Sequence, residues 1–302
     1  MPKYFIGTAG WSYKDWIPAF YPKGQSQNFD LLLFYSTYFN CVEVNSTYYT
    51  YLMPNTAIDW VRKVEKAEEF VFTVKLHQDF THSRDYRMKN VADITNLLNI
   101  LMRYERLGGL LIQFPYSFSF SSQAIEYIKD LNDIFCGYRR FLEVRHNSWN
   151  CKDALDFCNE WNITLCTIDQ PEIGKAITFD PVFVNGRGYI RFHGRNVEEW
   201  KNSINSYGVA KTYEQQNERY RYLYSPGELN FIAKKIKEAE QKVKEVFVIM
   251  NNHPAGYAPA NAIELISLLE GKTKIDMPPQ MPKYFGNLKP LALNYEQDLF
   301  GN

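Results

Sequence analysis

Charged and amide side chains recur at two-residue spacing where short β-branched runs end. Glu43 and Asn45 flank Val44, Lys75 and His77 flank Leu76, Glu143 and Arg145 flank Val144, and Arg191 and His193 flank Phe192. Gln113, Asp169 and Asn251 close three further runs. In an extended strand, residues two apart share a face, so each pair projects to one side while the apolar residue between them takes the other.

Lys75, Arg145 and Arg191 are cationic donors, and planar guanidinium forks match phosphate or carboxylate oxygens. The expected ligand is therefore an anion, bound most securely through Arg191. Glu43 and Glu143 are candidates for a general acid/base pair, burial raising one pKa while a neighbouring arginine keeps the other ionised. His193 is the alternative proton carrier. Asn45, Gln113, Asp169 and Asn251 add polar contacts, and Trp11 and Tyr13 are the aromatic candidates for stacking on a ligand. A plainer reading exists: ion pairs such as Glu143 with Arg145 or Arg191 could fill the top of a core without any reaction. Stability alone would favour apolar filling, so the convergence of the whole set reads as a ligand site.

The elements that position these residues are eight short apolar runs, at 4–8, 41–46, 70–76, 109–114, 140–145, 164–169, 188–193 and 246–251. Segments with helical spacing lie between them, near 29–39, 55–65, 91–106, 122–135, 151–161, 226–243 and 258–269. Eight strands alternating with helices predict an α/β fold, a single-domain (β/α)8 TIM barrel over residues 1–270, with its chemistry at the strand carboxyl ends. No G-x-G-x-x-G follows the first run, which argues against a nucleotide cofactor. The longest interval, between the seventh and eighth strands, holds a polar, Tyr-rich insertion at about 195–225 that reads as a helix-poor lid over one barrel mouth. The proline-rich tail, 271–302, is expected to wrap the barrel or to be loosely ordered.

The chain has 34 basic and 34 acidic side chains, so no overall field recruits nucleic acid or an acidic membrane surface. Any anion site must be local. Basic residues in the insertion, such as Arg195, Lys201, Arg219 and Arg221, are diluted by acidic neighbours and read as solvated surface. No apolar stretch approaches the roughly 18 residues of a membrane span, and the amino terminus lacks the order of a signal peptide. The expectation is a cytoplasmic protein. Its five cysteines show no Cys-x-x-Cys and read as reduced, buried thiols.

Gly7-Thr8-Ala9-Gly10-Trp11-Ser12-Tyr13, Val42-Glu43-Val44-Asn45-Ser46-Thr47-Tyr48-Tyr49, Phe72-Thr73-Val74-Lys75, Thr81-His82, Gln113-Phe114-Pro115, Glu143-Val144-Arg145-His146, Asp169, Arg191-Phe192-His193-Gly194 and Asn251-Asn252 follow one another in the order seen in a known family. Over roughly residues 4–270 the chain resembles the YecE-like family, also called domain of unknown function 72. The resemblance implies a TIM-type barrel, adds His82 to the binding set, and supplies no reaction. Where the family commonly has Phe before the paired asparagines, this chain has Met250.

That barrel is similar to those of endonuclease IV and xylose isomerase, which opens a divalent-metal reading with Glu143, Asp169 and His193 as donors. Arg145 and Arg191 weigh against a cation there, and five histidines are too few for a His-rich multinuclear site. No cofactor is otherwise expected. The leading expectation is a hydrolase or lyase acting by acid/base chemistry on a phosphate- or carboxylate-bearing substrate, such as a phosphosugar or a nucleic acid component. The alternative is a non-catalytic protein that captures an anionic metabolite or nucleic acid.

Overall fold

The computed structural model describes residues 1–205, 212–241 and 243–293. Part of the expected lid, 206–211, and the end of the tail, 294–302, lie outside the described residues. Nine strands form one all-parallel sheet: β1 (Lys3–Ala9), β2 (Cys41–Val44), β3 (Val71–Lys75), β4 (Leu107–Gln113), β5 (Arg140–Glu143), β6 (Thr164–Leu165), β7 (Thr167–Asp169), β8 (Arg187–Phe192) and β9 (Glu245–Met250). Their order is β6-β5-β4-β3-β2-β1-β9-β8-β7. The sixth run expected from the sequence is thus two short strands broken at Cys166, β6 pairing with β5 and β7 with β8. Because β6 and β7 are consecutive in the chain, the two edges of the sheet meet there, and the sheet rolls up into the expected barrel.

Two apolar clusters follow from the strand alternation. The smaller fills the barrel: Phe5, Ala9, Cys41, Leu111, Phe141, Cys166, Tyr189, Phe247 and Ile249. Phe5 stacks on Phe247 at 4.7 Å between ring centroids, and Phe141 lies 4.3 Å from Tyr189. These rings make a solid floor, so the barrel is a packed core rather than a pore. Gly109 makes room for it: a Cβ there would stand 2.5 Å from Phe141 Cε2, and its φ of +152° suits glycine. The larger cluster lies between the strands and the surrounding helices.

The helices bury their apolar stripes on that outer layer. They include α1 (Leu31–Tyr35), α2 (Pro54–Lys63), α3 (Gln78–Thr81), α4 (Met88–Arg103), α5 (Ser122–Ile134) and α6 (Lys152–Glu160). Between β8 and β9 come α7 (Val197–Asn205), α8 (Tyr213–Asn217) and α9 (Pro226–Ala239). The expected helix-poor insertion therefore contains two helices. After β9 comes α10 (Tyr257–Glu270), apolar nearly all round. It is covered on its outer side by the tail, whose α11 (Met281–Tyr284) and following turn bury Met281 and Leu288 completely. No helix among the described residues is long and apolar enough to cross a membrane. Cys41, Cys158 and Cys166 are buried free thiols, but Cys136 is exposed and Cys151 half-buried, against the expectation for all five.

Candidate functional site

The inward parity of each strand carries upward from the aromatic floor to the carboxyl ends. On β8, Tyr189 and Arg191 face in; on β2, Cys41 and Glu43; on β5, Phe141 and Glu143; on β3, Thr73 and Lys75. Tyr189 Oη donates to Glu43 Oε2 at 2.8 Å and lies 2.9 Å from Thr73 Oγ1. One layer higher, Arg191 is clamped between two carboxylates: Nη2 donates to Glu43 Oε1 at 2.6 Å, and Nη1 donates to Glu143 Oε2. Glu43, Glu143 and Arg191 are all essentially without solvent exposure.

Arg145 covers this clamp, donating from Nε and Nη2 to Glu143 Oε1 at 2.9 and 2.8 Å. His193 sits beside it, Nε2 being 3.4 Å from Arg145 Nη2 and 3.5 Å from Glu143 Oε1. Asn251 Nδ2 lies 2.9 Å from His193 Nδ1. Two backbone bonds of 2.8 Å, His193 N to Asp169 O and Asn251 N to Phe192 O, hold these residues rigidly at the strand ends.

The charges decide which groups can react. Burial opposes the Glu143 carboxylate, but Arg191, Arg145 and His193 outweigh it and hold its pKa well below the usual range. Arg191 is likewise buried, yet Glu143 and Glu43 raise it well above its ordinary value. These groups stay ionised. Burial, then Arg145, pushes His193 down to about 3, so it is a neutral imidazole. Burial, then Lys75 and Arg145, takes His82 down to about 4. Lys75 differs from all of these. Burial, then Arg191, lowers it to about 7 against the opposing pull of Glu143 and Glu43. Among the described residues its Nζ has no hydrogen-bond or ion-pair partner and rests 4.1 Å from the centroid of the Tyr48 ring.

The expected acid/base pair Glu43 and Glu143 is therefore a saturated structural clamp, because both carboxylates are taken by guanidinium donors. Arg191 is its centre, fully buried, with Nη1 and Nη2 spent on the two carboxylates and Nε without a partner among the described residues, so the donors expected to hold an anion are mostly taken by the clamp. Arg145 is the more open guanidinium, its side chain 13% exposed and its Nη1 without a partner among the described residues.

The remaining expected residues divide. His82 joins the cluster through the Tyr48 ring, 5.1 Å away, while its Nδ1 lies 2.9 Å from Thr81 Oγ1. Asn45 follows β2 directly, with its Oδ1 buried and unpartnered among the described residues. Gln113 pairs in register with Glu143, and its amide donates to the Phe114 carbonyl at 2.6 Å. Tyr13 reaches the rim by stacking on His253 at 4.4 Å. Trp11 does not join: its ring meets Trp60 of α2 edge-on at 5.5 Å.

Asp169 does not join either. It accepts from Arg195 Nε and Nη2, the shortest contact being 2.5 Å, and from Tyr224 Oη at 2.6 Å. Gly194 offers no approach to a ligand, since a Cβ there would meet Tyr222 Cβ at 2.8 Å.

The metal reading fails on donor chemistry. Glu143 is covered by Arg191 and Arg145, Asp169 by Arg195 and Tyr224, and His193 by Asn251 and Arg145. Among the described residues no three His, Cys, Asp or Glu side chains are grouped to hold a metal ion.

Sequence reasoning expected a lid from the insertion but did not single out the side chains that form it. Trp200 of α7 and Tyr220 in the turn Glu218–Tyr220 bring their rings within 6.4 and 6.1 Å of His193. Arg145 lies 5.8 Å from the Trp200 ring, and Arg219 lies 5.3 and 4.7 Å from those of Trp200 and Tyr220. Trp200 Nε1, Arg219 Nε and His253 Nδ1 are buried with no partner among the described residues. Buried polar atoms are nearly always bonded, so these donors and acceptors above the cationic cluster have bonding capacity to spare. The one available clue was Trp200, a large aromatic in a segment otherwise read as solvated. Two depressions, of about 700 and 680 Å³, lie elsewhere on the molecule and include none of the clustered charges.

The family model described as "Protein of unknown function DUF72" matches residues 5–283. The chain belongs to the DUF72 family. UPF0759 protein YunF of Bacillus subtilis is 29% identical over 284 residues, 88% of this chain and 94% of that protein. A crystal structure of a DUF72 family protein from Thermotoga maritima is similar with a TM-score of 0.76 and 30% identity, over 89% of this chain and 99% of the other. One from Enterococcus faecalis gives 0.74 and 24%, over 88% and 95%, and bears on the fold alone. The DUF72 barrel described here thus carries its charge cluster on a fold shared by solved relatives.

Proposed function

We propose that this DUF72 protein is an enzyme, a lyase or hydrolase, acting by proton transfer on a small substrate that bears a phosphate or carboxylate. The observation that carries this reading is Lys75, whose Nζ has no hydrogen-bond or ion-pair partner among the described residues, in a cluster whose two carboxylates are already spent on Arg191 and Arg145. The oxyanion of the substrate sits against Arg145 Nη1 and the unpartnered Arg219 and Trp200 donors, where charge-assisted bonds are strongest. Lys75, poised near neutrality, is the group that takes and returns the proton. The roof of Trp200 and Tyr220 excludes water from that exchange.

The test is turnover of a panel of phosphorylated sugars and hydroxy or keto acids by the wild type and by Lys75→Met. The expected result is turnover by the wild type alone, with kcat/KM rising as pH passes about 7, because the base is the unprotonated amine. Panel members that raise the melting temperature yet are never turned over would make the protein an anion-binding module and refute the enzymatic reading.

A further inference from the structure

The surroundings of Lys75 suit attack on carbon as well as proton transfer. Its backbone is pinned by Thr47 Oγ1, which donates to the Lys75 carbonyl at 2.6 Å. Its ammonium lies on the Tyr48 ring, and among the described residues no oxygen acceptor is bonded to Nζ. The guanidinia of Arg191 and Arg145 work against its charge, and a lysine beside another cation is the arrangement that keeps an amine nucleophilic near neutral pH. The other proton carriers of the cluster are unsuited to the chemistry, Glu43 and Glu143 being bound to arginine and His193, pushed down to about 3, being too weak a base.

We propose that Lys75 is a covalent nucleophile, its Nζ condensing with the carbonyl carbon of an aldehyde or ketone that also carries an oxyanion. The amine lone pair forms the C–N bond as the carbonyl π pair moves to oxygen, giving a carbinolamine. Both amine protons then leave with that oxygen as water, and the C=N bond forms. Carbon, nitrogen and oxygen balance, and no oxidant or reductant is consumed. The imine draws electrons from the adjacent carbon, which is the activation a lyase requires. This step rests on the oxyanion reading above, with Arg145 holding the charged end and Lys75 the carbonyl.

The test is reductive trapping. Wild-type protein is incubated at pH 7 with glycolaldehyde phosphate, or with uncharged glycolaldehyde, in the presence of cyanoborohydride, and the modified lysine is located by peptide mass mapping. The expected result is an adduct on Lys75 that forms at least about tenfold faster with the phosphorylated probe, the effect of one bond to a charged group. Surface lysines should show no such preference, and Arg145→Met should abolish it at Lys75.

Adducts confined to surface lysines, in a protein whose melting temperature still rises with inorganic phosphate, would overturn the covalent step and leave the oxyanion site standing. Adducts confined to surface lysines with no phosphate response would overturn both. Equal rates for the two probes at Lys75 would overturn the requirement for an oxyanion. Mapping is done on the wild-type chain, so the outcome does not depend on any variant folding.

Discussion

Arg191 Nη2 donates to Glu43 Oε1 at 2.6 Å across the barrel interior, with Glu143 closing on the same guanidinium from β5. Three buried charges on three strands thus make one clamp, directly above the aromatic floor. Such a group is costly to assemble but costlier to break, because removing one partner strands the others without solvent.

Arg191→Lys should consequently lower the melting temperature markedly, with about 3–5 kcal/mol lost if the shorter side chain fails to reach both carboxylates. The stabilisation produced by added phosphate should be unchanged, since Arg191 belongs to the clamp and not to the ligand. Thermal scans of both proteins across a phosphate series check this. A mutant that folds normally but no longer responds to phosphate would return Arg191 to the site.

The pattern of the clamp was legible in the sequence because a β-strand has a two-residue period. Once Glu43, Glu143 and Arg191 were placed on strands near their ends, their convergence followed. The pairing of Glu143 with Arg145 and Arg191 was legible too, as the plainer reading; what reaches the cluster from outside the strands was not. Asp169 pairs in register with Phe192 rather than Arg191, so it lies on the outer face, where Arg195 and Tyr224 reach it from the insertion, whose path no periodicity encodes. Trp11 follows β1 directly but turns outward onto Trp60. The break at Cys166 divides a run that reads as one strand, and the helix at Val197–Asn205 has too few apolar residues to stand out. The roles of Lys75 and Glu143 were hidden for a different reason: which carboxylates are saturated depends on distances, and those exist only in the folded chain.

Lys75 titrates on folding in a direction that is informative. Its folded pKa of about 7 lies below its unfolded value, so between about 7 and 10.5 the unfolded chain binds the extra proton. The buried lysine therefore weakens the fold fully below about pH 7, and the penalty fades as pH rises toward 10.5. The groups that set it are Glu43, Glu143, Arg145 and Arg191, with Tyr48 and His82 at the rim. Lys75→Met should raise the melting temperature at pH 6 by roughly 2–4 °C, as about 1 kcal/mol would, and by progressively less toward pH 10. A gain independent of pH would show that lost charge is not its cause.

Asp169 anchors the insertion to the barrel through Arg195 and Tyr224. Asp169→Asn should release the roof while sparing the strands, at a cost of about 1–3 kcal/mol. Amide hydrogen exchange should accelerate in Val197–Asn205 and around Tyr220, with β1, β8 and β9 little affected. Unaltered exchange in those segments would mean that Trp200 and Tyr220 are held by something other than this anchor.

The oxyanion site at Arg145 is tested most directly by the phosphate dependence of the melting temperature in the wild type and in Arg145→Met. A ligand bound only by the folded chain stabilises in proportion to the logarithm of its concentration once the site is filled. The wild type should show that rise, and Arg145→Met should need roughly ten- to a hundredfold more phosphate for the same shift, the loss of one charge-assisted contact. A wild type indifferent to phosphate, or a variant with an identical response, would contradict the site.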